Sequence, residues 1–156
     1  MKTSKVGIGL IKRLEMAFNG GVLFTHPDGI LVPYRNCHGE LAIGYGSTFT
    51  QSGPVTENTI MTKEGAEKVL LLDLVALESC IETTVGGLIN QNMFDALVSY
   101  AYSVPSSSFR SSRLVQLIRQ LDYFGAAEEL RLGRCCCGCS PGRREQEARL
   151  FTKPLN

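Results

Sequence analysis

The residues of this chain best suited to chemistry are carboxylates, and the first is Glu15. It stands on the last turn of a segment in which Val6, Leu10, Ile11 and Leu14 recur at helical spacing, opened by Ser4 and closed by Asn19-Gly20-Gly21. A carboxyl at a helix end that faces a cleft loses part of its hydration. Its pKa then rises, and it can hold a proton near neutral pH as a general acid. The same Glu, behind Lys12-Arg13-Leu14, also suits an ordinary solvated helix face, and the residues alone leave both readings open. Downstream stand Asp28 in the turn Pro27-Asp28-Gly29, Glu40 after Asn36-Cys37-His38-Gly39, and Cys37, either a passive small side chain or a thiolate.

Metal chemistry finds little support. His26 and His38 are the only histidines. Of the six cysteines, Cys37 and Cys80 stand apart, while Cys135, Cys136, Cys137 and Cys139 crowd together. A disulfide framework spaces its cysteines out, and one CxxC without a second pair does not make a zinc ribbon. The expectation is reduced, partly exposed thiols in a loop, with no metal or cofactor.

Positioning falls to two kinds of structure. Residues 22–50 are rich in Gly, Pro, Asn and aromatics, with β-like runs at 22–25, 30–32 and 41–43 separated by turns. An aromatic residue followed by Gly occurs twice at one spacing, Phe24/Gly29 and Tyr34/Gly39. From residue 62 the pattern turns helical. Thr62 caps a helix to about Thr84, and Asn90 caps a very apolar one with Met93, Phe94, Leu97, Val98 and Ala101, ended by Pro105. Ser111 or Ser112 opens a short helix, and Asp122 opens one to about Leu132. A loop at 133–142 leads to a last helix, with Ser140-Pro141 as its start and Phe151 near its end. This order predicts an α+β fold with a small N-terminal hairpin lobe, a larger helical lobe and a cleft between them.

Composition agrees with one such domain over 1–156, its sheet lobe at about 15–60. The chain has 44% apolar and 20% charged residues and a net charge of +1. That charge demands no nucleic acid and neither requires nor excludes an anionic wall polymer. The longest apolar run, Val69-Leu70-Leu71-Leu72, is cut by Asp73, far short of a membrane span. Lys12 and Arg13 interrupt residues 6–14, so no signal-peptide core is expected, and the chain is read as made in the cytoplasm. Nothing points to an oligomer.

Five blocks, in order, resemble one family. Leu10-Ile11-Lys12-Arg13-Leu14-Glu15 looks like the opening motif of phage-type lysozymes, glycoside hydrolase family 24. Tyr34-Arg35-Asn36-Cys37-His38-Gly39-Glu40-Leu41-Ala42-Ile43-Gly44-Tyr45-Gly46-Ser47-Thr48 is similar to its hairpin signature, Tyr-x-Asp-x-x-Gly-x-x-Thr-Ile-Gly-Tyr-Gly-His-Thr. Thr62 with Leu71-Leu72-Asp73-Leu74, the stretch from Asn90 to Tyr102, and the closing pieces around Asp122-Tyr123-Phe124-Gly125 and Arg143-Arg144-Glu145 resemble its helices.

The resemblance implies a muramidase that cleaves the β-1,4 bond between N-acetylmuramic acid and N-acetylglucosamine of bacterial peptidoglycan. In the family the Glu protonates the glycosidic oxygen, and an Asp and a Thr hold the attacking water on the opposite face, the logic of an inverting hydrolase. Carried over, the acid is Glu15, the Asp position is Asn36 and the Thr position is Ala42. Ser47 replaces the family His, so a His pairing to Asp73 cannot form. Ser103-Val104-Pro105 replaces Asn-Val-Gly, and the chain has no Trp. Tyr45, Tyr102 and Ser112 match positions implied to touch substrate. Arg110, Arg113, Arg143 and Arg144 suit either anionic polymer or a solvated face.

Twenty residues separate Glu15 from Asn36, about a dozen more than the family places there. A rival frame puts His26 at the Asp position and Val32 at the Thr position; the first frame is preferred because Ile43-Gly44-Tyr45-Gly46 follows directly. Asp28, Glu40 or Cys37 are the substitutes for the missing base. Beside the muramidase reading stand an impaired lysozyme-fold module that binds wall or protein, and an engineered member of the family.

Overall fold

The computed structural model describes residues 1–18, 23–133 and 142–155. Helix α1 (Lys5–Phe18) leads into two short strand pairs, β1 (Tyr34–Arg35) with β2 (Leu41–Ala42) and β3 (Phe49–Thr50) with β4 (Gly53–Pro54), both antiparallel. Helices α2 (Lys63–Val85), α3 (Gln91–Tyr102), α4 (Ser106–Arg110), α5 (Arg113–Arg119), α6 (Tyr123–Leu132) and α7 (Arg143–Thr152) follow, with a 3₁₀ turn at Gly86–Leu88. This is the α+β order the sequence predicts. The chain divides into two compact units: Lys12–Asp73, and Met1–Ile11 with Leu74–Asn156. The divisions fall inside α1 and α2 rather than in loops. Leu10 and Ile11 are buried members of one unit, and Leu14 of the other.

Helix starts follow local chemistry. The Ser4 hydroxyl accepts from the Val6 N–H at 3.1 Å, Thr62 Oγ1 from Gly65 at 3.1 Å, Asn90 Oδ1 from Met93 at 3.0 Å, Ser112 Oγ from Val115 at 3.3 Å and Asp122 Oδ1 from Gly125 at 2.8 Å. Each meets an amide N–H that the first helical turn leaves without a partner. Helix α7 begins at Arg143, behind Gly142. Ser140, Pro141, Val22 and the cluster Cys135, Cys136, Cys137 and Cys139 lie outside the described residues. The pair β3–β4, helix α4 and the 3₁₀ turn were not visible in the sequence, since elements of two to five residues carry no readable period.

In the helical unit α3 packs on α7, α7 on α6 and α6 on α5. Residues Phe94, Leu97, Val98, Phe109, Ile118, Leu130 and Phe151 are fully buried. Because α3 is buried nearly all round, its polar residues need internal partners. Asp95 accepts from the Ser4 N–H (2.9 Å), the Ser4 hydroxyl and Gln91 Nε2 (2.8 Å), which ties the start of α1 to α3. Ser99 donates to Glu147 Oε1 at 2.8 Å. Glu147 also accepts from Arg143 Nε (3.0 Å) and Arg144 Nη1 (2.6 Å). Arg143 and Arg144 are 4% and 7% exposed, which corrects the solvated-face reading. A carboxylate one turn along the same helix draws both guanidinium groups inward.

Candidate active site

Glu15 belongs to the Lys12–Asp73 unit, with the hairpins. The chain from Phe24 to Ala42 makes two hairpins of one design, ten residues apart. In the first, the His26 N–H donates to Ile30 C=O and Gly29 donates back to His26. In the second, Asn36 donates to Glu40 and Gly39 back to Asn36. Thr25 pairs with Leu31 as Arg35 pairs with Leu41. The residues between Glu15 and Asn36 therefore include a complete hairpin, fixed at its far end by reciprocal Leu31–Met61 bonds of 2.8 and 3.3 Å.

The second hairpin carries the tight Gly44-Tyr45-Gly46 turn to Glu15. A Cβ on Gly46 would lie 3.2 Å from Glu15 Oε2 and 3.9 Å from the Tyr34 hydroxyl. The Glu15 carboxyl and the Tyr34 hydroxyl thus converge on bare backbone. Glycine is favoured at this position because φ is +95°, and a Cβ there would push the Glu15 carboxyl aside by a few tenths of an ångström. Gly46→Ala is expected to lower stability by about 1–2 kcal/mol and activity by about tenfold or more through displacement of the acid. Gly53, at φ +115° with open space around it, is the control. Gly53→Ala in the same unfolding and activity assays should lose stability while keeping activity.

Other predicted site residues have structural employment. The Asn36 side-chain oxygen accepts from the His38 (2.9 Å) and Glu40 (3.0 Å) N–H groups, and its amide donates to Glu40 Oε2 at 3.3 Å. Both lone pairs of that oxygen hold the turn. Ala42 is fully buried and offers only a methyl. Tyr45 is 2% exposed, with Lys12 Nζ 5.4 Å from its ring centre. Burial pushes its phenol above the ordinary value, partly offset by the Lys12 charge. The ring is a core residue with no face open to a sugar. Asp28 Oδ1 accepts from Ile30 N–H at 3.0 Å and is a turn residue. Cys37 is disulfide-bonded, so it supplies no thiolate. Tyr102 and Ser112 stand in the helical unit; the Ser112 hydroxyl donates to Phe109 C=O at 2.7 Å while capping α5. Of the surface arginines, Arg110 Nε meets Cys80 Sγ at 3.2 Å and Arg113 lies 3.8 Å from Glu129.

Ser47 and Asp73 do pair: the serine hydroxyl donates to Asp73 Oδ2 at 2.6 Å. The two residues are 26 positions apart, and no local pattern in the sequence joins them. Burial raises the Asp73 carboxyl above its ordinary value, and the Ser47 hydrogen bond draws it partly back. The native state then holds this proton to higher pH than the unfolded chain does. Stability falls as pH rises from the ordinary carboxylate range through the raised value. Asp73→Asn keeps an acceptor for Ser47 and removes the charge. Its Tm should exceed that of the wild type at pH 7, and the gap should close below about pH 3. A gap that is constant with pH would contradict this.

Among the described residues no group of three or more His, Cys, Asp or Glu side chains gathers to hold a metal ion, and no helix is long and apolar enough to cross a membrane.

Comparison with known proteins fits this geometry. The phage lysozyme family profile matches residues 28–137. The chain is 28% identical to the endolysin of Salmonella phage P22 over 144 residues, covering 88% of this chain and 98% of that protein. It is 32% identical to the endolysin of Bacillus phage PZA over 155 residues, 97% of this chain but 55% of that protein, so it spans about half the length of this relative. In three dimensions it is similar to the endolysin from Escherichia coli O157:H7 phage FAHEc1, with a TM-score of 0.82, 25% identity and coverage of 99% and 96% of the two chains. A profile match across most of the chain, with the fold shared nearly end to end, shows that this chain belongs to the phage lysozyme family.

Proposed function

We propose that the chain is a muramidase that hydrolyses the β-1,4 bond between N-acetylmuramic acid and N-acetylglucosamine in bacterial peptidoglycan, with Glu15 as the acid. The observation that supports this most is the Glu15 carboxyl held close to the Gly46 backbone, in a member of the phage lysozyme family. In this reaction Glu15 gives its proton to the glycosidic oxygen as the C1–O bond breaks. Water adds at C1 and loses a proton to a base. Neither Asn36, whose side-chain oxygen is engaged, nor Ala42 can be that base. We assign the role to Glu40, the exposed hairpin carboxylate that the Asn36 amide contacts. Tyr102 and Ser112 are the proposed substrate contacts of the helical unit. The protein works as a monomer on the wall after leaving the cytoplasm.

The changes at Asn36 and Ala42 favour a second reading, a wall-binding module without turnover. Incubation with purified, insoluble peptidoglycan separates the two. The muramidase releases soluble saccharide with time, whereas a module pellets with the wall and releases none. Failure to release saccharide would remove the hydrolase assignment.

A further inference from the structure

The tandem hairpins leave one ring outside the core. Phe24 is 44% exposed, yet it is held in place. Its ring centre lies 4.7 Å from that of Tyr34 at an interplanar angle of 30°, and its C=O accepts the Val32 N–H at 3.1 Å. Tyr34 leads from Phe24 towards the acid: its hydroxyl lies 3.9 Å from the Gly46 Cβ position, which is 3.2 Å from Glu15 Oε2. The half-exposed Phe24 ring thus lies against Tyr34, whose hydroxyl and the Glu15 carboxyl come within 4 Å of one point over Gly46, all within one unit.

Along the hairpin Phe24 is followed by exposed Thr25, His26 and Asp28. A single ring beside polar groups does not suit a lipid or an apolar protein surface, which need a contiguous patch. It suits an amphipathic ring with an apolar C–H face and hydroxyls at its edge.

We infer that Phe24 is a sugar-stacking platform: its open face receives an N-acetylated pyranose of the glycan strand, one or two sugars along from the bond that is cut. This inference rests on the proposed saccharide substrate and adds a contact made by the first hairpin. Tyr34 is its positioning residue, because the stack fixes the plane of Phe24.

The test uses the absence of tryptophan from the chain. Phe24→Trp and, separately, Phe49→Trp in β3, where the native ring is 61% exposed, each introduce a single fluorophore into the full-length protein. Both are combined with Glu15→Gln, so that the ligand is bound without being cut, and titrated with an uncrosslinked tetrasaccharide of alternating N-acetylglucosamine and N-acetylmuramic acid. Saturable emission change at position 24, with none at position 49, is expected. Phe24→Ala should weaken tetrasaccharide binding about tenfold with kcat nearly unchanged, and Phe24→Tyr should restore it. A silent fluorophore at position 24, equal changes at both positions, or unchanged affinity in Phe24→Ala would overturn the platform. Saccharide binding at position 24 without hydrolysis by the wild type would keep the platform and remove the muramidase, whereas hydrolysis by the wild type with position 24 silent would do the reverse.

Discussion

Glu147→Ala should unfold about 10 °C or more below the wild type, the largest loss of stability expected from a single substitution in this chain. The carboxylate is fully buried and accepts from Arg143 Nε, Arg144 Nη1 and Ser99 Oγ. Removing it leaves two guanidinium groups at 4% and 7% exposure without this carboxylate. Breaking a buried ion pair from one side typically costs about 3–5 kcal/mol, more than the pair itself contributes, because the remaining charge is stranded out of water. Some partners survive: Arg143 Nη2 still donates to Ser99 C=O at 3.0 Å, and Arg144 still lies 4.4 Å from the Tyr100 ring centre. They hold the side chains in place without neutralising them. Apolar replacement of Glu147, Arg143 and Arg144 together should therefore recover much of the loss. Urea or thermal unfolding of the single and triple variants checks both statements; a single-variant loss below about 1 kcal/mol would show that the cluster is not a closed buried network.

Glu15→Gln should lower the rate of glycan cleavage by about 10²–10⁴-fold, the range usual for losing a positioned proton donor. Glutamine has nearly the same shape, so it still fits against the Gly46 backbone. Its amide cannot deliver a proton to a departing sugar oxygen. The loss should appear in kcat with little change in substrate affinity, because the proton moves only as the bond breaks. Dependence on the acid should be acute in this chain. The positions that the resemblance matches to the family's water-holding Asp and Thr are Asn36, occupied by its own turn, and Ala42, a buried methyl. With the proposed base, Glu40, on an exposed turn rather than at either of these positions, protonation of the leaving group is expected to carry more of the acceleration. Saccharide release by the two proteins, together with matching thermal unfolding curves, makes the comparison clean.

The helix starts were legible because capping is local. Ser4, Thr62, Asn90, Ser112 and Asp122 each satisfy an amide two or three residues along, so type and position suffice. The repeated aromatic–glycine spacing was visible too, but its meaning as two hairpins of one design needed the backbone bonds. Arg143 and Arg144 were misread because surface is the usual place for arginine. The informative signal was Glu147, three and four residues later on the same helix. At the site, the motif singled out Glu15, whereas its companions Tyr34 and Gly46 required a tertiary approach that no local pattern encodes. Asn36 went the other way. Its Asn-x-x-Gly context is turn chemistry, and the structure gives its side chain to the turn. The Ser47–Asp73 bond spans 26 positions and was hidden by expecting a particular residue type rather than a donor.

In the proposed mechanism Glu15 protonates a glycosidic oxygen. The most direct test of this step is the chemistry of the ends produced when purified peptidoglycan strands are digested and then reduced with borohydride. Reduced N-acetylmuramic acid ends are expected from the wild type, accumulating with time, and next to none from Glu15→Gln. New ends formed equally fast by both proteins, or cleavage that frees amino groups and no reducing sugar, would contradict it.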